Sequence, residues 1–136
     1  MVFDSLIMMI TPTASSVVSG GVLPLSTIAR RTGRVVSSSN DSILLNLPGY
    51  YKVTATATFT APEAGDVEIS LQKNGVSVPG ITASTTVSTA DTVVSSIALS
   101  GIVRVFPVDS IATLTLINSG VAIETSNIEI DVEYLG

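Results

Sequence analysis

Three groups of charged side chains are spaced so that chemistry could follow from them. Glu129, Asp131 and Glu133 alternate with Ile128, Ile130 and Val132, so in an extended chain all three carboxylates point to one side. Carboxylates are calcium ligands, but a Ca²⁺ ion takes about six to eight oxygens wrapped around it, and a straight stripe is a poor cage. Asp66 and Glu68 share a face by the same parity and raise the possibility of a glycan hydrolase, with Asp66 or Glu129 as acid. Glycosidase carboxylates usually flank the bond from different strands across a cleft, so a solvated face is the better reading. Arg30, Arg31 and Arg34 hold half of the six cations. They could grip an acidic protein surface or a phosphate, yet no aromatic residue is interleaved with them, as single-strand recognition needs. A solvated loop is expected there.

The chain has no His and no Cys. That removes the usual zinc ligands, the Ser-His and Cys-His nucleophile pairs, thiol redox chemistry and disulfides. A net charge of -5, from 6 Lys+Arg against 11 Asp+Glu, also argues against nucleic acid or anionic lipid as the main partner. Most enzyme mechanisms go with the missing His and Cys, and no cofactor or metal is expected.

The elements that must position these residues are strands. Val, Ile and Thr make up about a third of the chain, a composition that suits pleated, half-buried surface. Strict alternation recurs where helical spacing does not. In Tyr50 to Ala61, Tyr51, Val53, Ala55, Ala57 and Phe59 point inward against Lys52, Thr54, Thr56, Thr58 and Thr60. Asp66 to Lys73 and Asn127 to Leu135 alternate in the same way. Weaker strands are expected at Ala14 to Ser19, Val22 to Leu25, Arg34 to Ser37, Ser42 to Leu47, Val76 to Ser84, Thr92 to Phe106 and Ser110 to Asn118. Asn74-Gly75 is a two-residue hairpin signal, because both central positions of that turn need positive φ. Pro24 falls inside a run and demotes it to an edge or a bulge. About ten short strands over 136 residues indicate an all-β antiparallel sandwich or jelly roll.

The order of features from Ser42 onward carries a resemblance. An apolar strand with Ile43, Leu44 and Leu45 runs into Pro48-Gly49-Tyr50-Tyr51. Then follow Val67-x-Ile69-x-Leu71-x-x-Asn74-Gly75, a Ser/Thr-rich strand, a Val/Ile-rich strand, Leu114-x-Leu116-x-Asn118 and a last strand. This resembles the tumour-necrosis-factor-like jelly roll in its complement globular-head branch. Gly20-Gly21-Val22-Leu23-Pro24-Leu25 is similar to the first strands of the bacterial and bacteriophage members. The resemblance covers residues 14 to 136. Pro107-Val108-Asp109-Ser110 departs from the Gly-Asp turn of the vertebrate members, aromatic content is only 4%, and there is no collagen-like Gly-X-Y stalk.

The resemblance implies a non-enzymatic homotrimer, a virion surface protein of a tailed bacteriophage that decorates the capsid or forms a short head fibre. It would bind itself and a capsid or other virion protein, with a host surface receptor as a further partner. The alternative is a receptor-binding tip of a tail fibre, or a spore or bacterial surface adhesin. Tyr50, Lys52, Thr54, Thr56, Thr58, Asp131 and Glu133 are expected at the trimer interface, although the Thr ladder reads equally well as an exposed face. With the last strand antiparallel to Tyr50 to Ala61, Lys52 should come closest to Asp131 or Glu133.

Residues 1 to 13 are expected to stand outside the domain of residues 14 to 136 as an attachment segment, with Phe3, Leu6, Ile7 and Ile10 contacting another protein or a neighbouring protomer. Met1 to Ile10 lacks a basic start, is interrupted by Asp4, and is too short to span a bilayer. No signal peptide and no membrane insertion are expected, with synthesis in the host cytoplasm.

Overall fold

Alternation of apolar and polar residues becomes eleven strands in the computed structural model, which describes residues 5–88, 94–109 and 111–136. They are β1 (Leu6–Thr11), β2 (Ser15–Val17), β3 (Thr27–Thr32), β4 (Val36–Ser39), β5 (Ser42–Leu45), β6 (Gly49–Thr60), β7 (Gly65–Lys73), β8 (Val76–Val87), β9 (Ser95–Val105), β10 (Ala112–Asn118) and β11 (Ile123–Tyr134). One sheet has the order β3-β1-β11-β6-β9, with β2 also paired to β11, and the other has the order β4-β5-β10-β7-β8. Every pairing is antiparallel.

The inward positions of both sheets meet in one core. Tyr51, Val53 and Phe59 of β6, Ile128, Ile130 and Val132 of β11, and Ile69, Leu71, Leu114 and Leu116 of the second sheet are all fully or almost fully buried. The Tyr51 hydroxyl donates to the Leu47 carbonyl at 2.5 Å and accepts from the Leu47 N–H at 3.2 Å, which anchors the β5–β6 turn. Burial, offset in part by that hydrogen bond, raises the Tyr51 pKa above its ordinary value, and Tyr134 adds to the rise.

Turn chemistry fixes the register. Asn74 and Gly75 sit at φ 53° and 82°, as a two-residue hairpin demands, and Lys73 pairs with Val76. Asn40 and Asp41, at φ 37° and 62°, make a second such turn between Ser39 and Ser42, in a stretch that reads in sequence as a Ser-rich loop. Gly120 lies where the β10–β11 connection rests on β7. The N–H groups of Ser119 and Val121 donate to the carbonyls of Glu68 and Asp66 at 2.8 and 2.9 Å. A Cβ on Gly120 would lie 2.7 Å from the backbone of Val67 and Glu68.

The N-terminal expectation needs correction. Residues 6–11 are a strand inside the first sheet, paired with β11 on one side and β3 on the other. Ile7 is wholly buried and Met9 nearly so, because the Leu6-Ile7-Met8-Met9-Ile10 run alternates in a sheet like any other strand. Ile7 is therefore a core residue, and Leu6 and Ile10 belong to the sheet's outer face rather than to a separate attachment segment. The boundary between residues 13 and 14 does not separate a domain from an appendage. Phe3 lies outside the described residues. Arg30 and Arg31 are in strand β3 rather than a loop, and Val22 makes only an isolated bridge to Ile117 in place of a strand.

Candidate functional site

The outer face of the first sheet is where register gathers the polar residues of four strands. In β6 the inward set is buried and Lys52, Thr54, Thr56 and Thr58 face out. In β11, Glu129, Asp131 and Glu133 face out. Pairing sets them in rows: Leu6, Glu133, Lys52 and Ile102 in one, Met8, Asp131, Thr54 and Ser100 in the next, and Ile10, Glu129, Thr56 and Ala98 in a third. Thr58 stands opposite Asn127 and Ser96. The result is a broad surface of short side chains, with an apolar band from β1 along one flank and an acidic stripe beside it.

The electrostatics of the face follow from its packing. Lys52, Thr54, Asp131 and Glu133 line one shallow depression of about 200 Å³. Burial there pushes the Asp131 carboxyl above its usual pKa, which is the signature of a desolvated carboxylate. Lys52 is directly opposite Glu133 in register, one of the two acids, Asp131 or Glu133, expected nearest to it. The pair does not close to an ion pair, however. Among the described residues the one salt bridge joins Lys73 to Asp109 at 3.8 Å.

Tyr50 begins this face at the end of the sandwich where β6 starts and β9 ends. It pairs with Arg104, whose guanidinium carbon lies 5.4 Å from the Tyr50 ring centre and 4.5 Å from that of Phe106. Sequence reasoning singled out neither Arg104 nor the outward residues of β9. The alternation of Ala98, Ser100, Ile102 and Arg104 against Ile97, Leu99 and Val103 was the signal that could have found them. All the residues expected at a trimer contact lie on this one face or at its edge.

Other features of the molecule offer less. An open groove of about 640 Å³ runs between β3 and the β4–β5 turn, lined by Met9, Leu25 and Ile28 and by the polar residues of that turn. Asp66 accepts a hydrogen bond from Thr86 at 2.7 Å and Glu68 one from Ser119 at 3.1 Å, both at exposed positions on the outside of the second sheet. Among the described residues no three His, Cys, Asp or Glu side chains are grouped to hold a metal ion, and no helix is long and apolar enough to cross a membrane.

No family model and no curated protein matches the chain. Solved structures do match over nearly its whole length. The globular domain of the zebrafish complement 1qA protein superposes with a TM-score of 0.71 at 7% identity, covering 97% of this chain and 98% of that one. Murine APRIL superposes with a TM-score of 0.72 at 11% identity, covering 96% and 98%. The PRD1 vertex protein P5 gives 0.59 at 14% identity, covering 100% of both chains. At these identities the likeness shows the fold, a TNF-like jelly roll, which is the architecture that the order of sequence features implies.

Proposed function

We propose that this chain is a non-enzymatic structural protein of a bacteriophage virion, assembled as a homotrimer through the outer face of its first sheet. In this reading it sits on the capsid surface as a decoration or a short head fibre. The observation that carries the proposal is the face itself: short Thr, Ser and Ala side chains in register on β6 and β9, an apolar flank from β1, and a desolvated acid at Asp131. A face facing only water gains nothing from Leu6, Met8, Ile10 and Ile102 in its outward rows, whereas a protein contact buries them. The likeness to a phage vertex protein over the full length of both chains supports a place in the virion. The trimer is supported by the resemblance in sequence and by the fold.

Immunogold labelling of intact particles with antibody raised against the chain tests the location. Label over the capsid is the expected result. Label confined to tail-fibre tips would instead favour the receptor-binding alternative, and unlabelled particles would remove the virion assignment.

A further inference from the structure

A ring of three identical copies closes only through a heterologous contact, in which one patch of each protomer meets a different patch of the next. The first sheet holds two such patches. One is the acidic stripe on β11 with its apolar flank from β1. The other is the free edge at β9, whose one charged residue is Arg104. Arg104 is exposed, and among the described residues it has no carboxylate in ion-pair reach. The chain spends two of its six Tyr and Phe residues around it, Tyr50 and Phe106, and leaves these rings 45% and 44% exposed. Two rings flanking one guanidinium restrict its motion and keep it aimed. Among the described residues of the protomer that arrangement meets no acid.

Register says which acid it can meet. Rotation about an axis running along the strands leaves every residue at its own height. Arg104 is level with Tyr50, two residues from the row in which Lys52 faces Glu133, an offset of about 7 Å at the rise of a strand. An arginine side chain spans that distance. Asp131 is four residues away, about 13 Å, and Glu129 is farther. Arg30, at the height of Asp131, is on the β3 side, the same side as the acidic stripe, so it cannot bridge from the opposite edge.

We propose that Arg104 of one copy forms an ion pair with Glu133 of the next copy around the ring, with Tyr50 and Phe106 holding the guanidinium in place. The proposal rests on the trimer reading above and adds the contact that fixes its direction and register. Lys73 supports the same edge, since its ammonium donates to the Arg104 carbonyl at 2.9 Å and lies 5.4 Å from the Phe106 ring centre.

The test is a charge swap on the full chain, read as mass by light scattering over a dilution series. Wild type is expected at about 42 kDa, three copies of the 14.0 kDa chain. Arg104→Glu and Glu133→Arg should each raise the concentration of half-dissociation by more than about tenfold. The double variant Arg104→Glu with Glu133→Arg should recover most of that loss, while Glu68→Arg on the outside of the second sheet changes nothing. Arg104→Gln, which stays polar but carries no charge, guards against misfolding: it should keep the wild-type far-UV spectrum and still loosen the trimer. If the single reversals remain as tightly trimeric as wild type, or the double variant is no better than the singles, the pairing is wrong while the trimer stands. A wild-type monomer would overturn the trimer reading itself.

Discussion

Replacing Ile7 by alanine removes a side chain with no solvent exposure from near the start of β1, where it lies level with Val132 of β11 and Arg31 of β3. Truncating a buried Ile to Ala costs about 2 to 5 kcal/mol, the lost transfer energy plus the cavity left behind. Unfolding entropy of about 2.1 cal/mol/K per residue over this chain makes each kcal/mol worth about 3.5 °C. The midpoint should therefore fall by about 7 to 17 °C. Thermal and urea unfolding followed by far-UV circular dichroism, at one fixed protomer concentration because assembly contributes to stability, gives the number. Val18→Ala, at a side chain 68% exposed, should stay within about 0.5 kcal/mol. Deleting residues 1 to 11 strips the strand that joins β3 to β11 and should prevent folding. An Ile7→Ala midpoint equal to wild type, or a deletion that melts normally, would refute the placement of β1 in the core and return the segment to the role of an appendage.

Lys52→Ala removes the cation that shares a depression with Asp131 and Glu133 and should weaken the assembly by leaving those acids uncompensated at the contact, measured as a shift in the dissociation curve; no shift would mean that the acidic stripe faces water. Asp131→Asn should stabilise the folded protein at neutral pH, since burial raises the Asp131 pKa and its ionised form opposes folding. A raised folded-state pKa gives stability that is present at low pH and lost as pH rises through that pKa. The advantage of Asp131→Asn in melting experiments should accordingly shrink as pH falls, and an advantage independent of pH would contradict the desolvation. Gly120→Ala must displace the β10–β11 connection from the backbone of β7, and a loss of about 1 to 3 kcal/mol is expected in urea titrations. A neutral result would show that the connection yields freely.

The long strands were legible because their alternation is strict. Tyr51 to Phe59 and Ile128 to Val132 each place every second residue in the core, and parity then put Lys52 on the face of Asp131 and Glu133 once the two strands were paired antiparallel. Short apolar runs were less readable. Leu6 to Ile10 is apolar at every position, because β1 has its inner side in the core and its outer side on the candidate interface, so the sequence shows no alternation to mark which side is which. Arg30 and Arg31 looked like loop residues because β3 is an edge strand exposed at every position, and the charges that keep such an edge from pairing with other chains hide its strand character. The outer face depends on Arg104 and Ile102 as much as on Thr54 and Asp131. Its extent comes from the β6–β9 register, which joins residues about fifty positions apart, and nothing local in the sequence encodes that pairing.

Assembly through the outer face of the first sheet is the central claim, and the absolute mass of the purified chain in solution tests it most directly. Size-exclusion chromatography with multi-angle light scattering at micromolar concentration should give about 42 kDa, three times 14.0 kDa, with no change in mass across the peak. A single species at 14.0 kDa under those conditions would contradict the account.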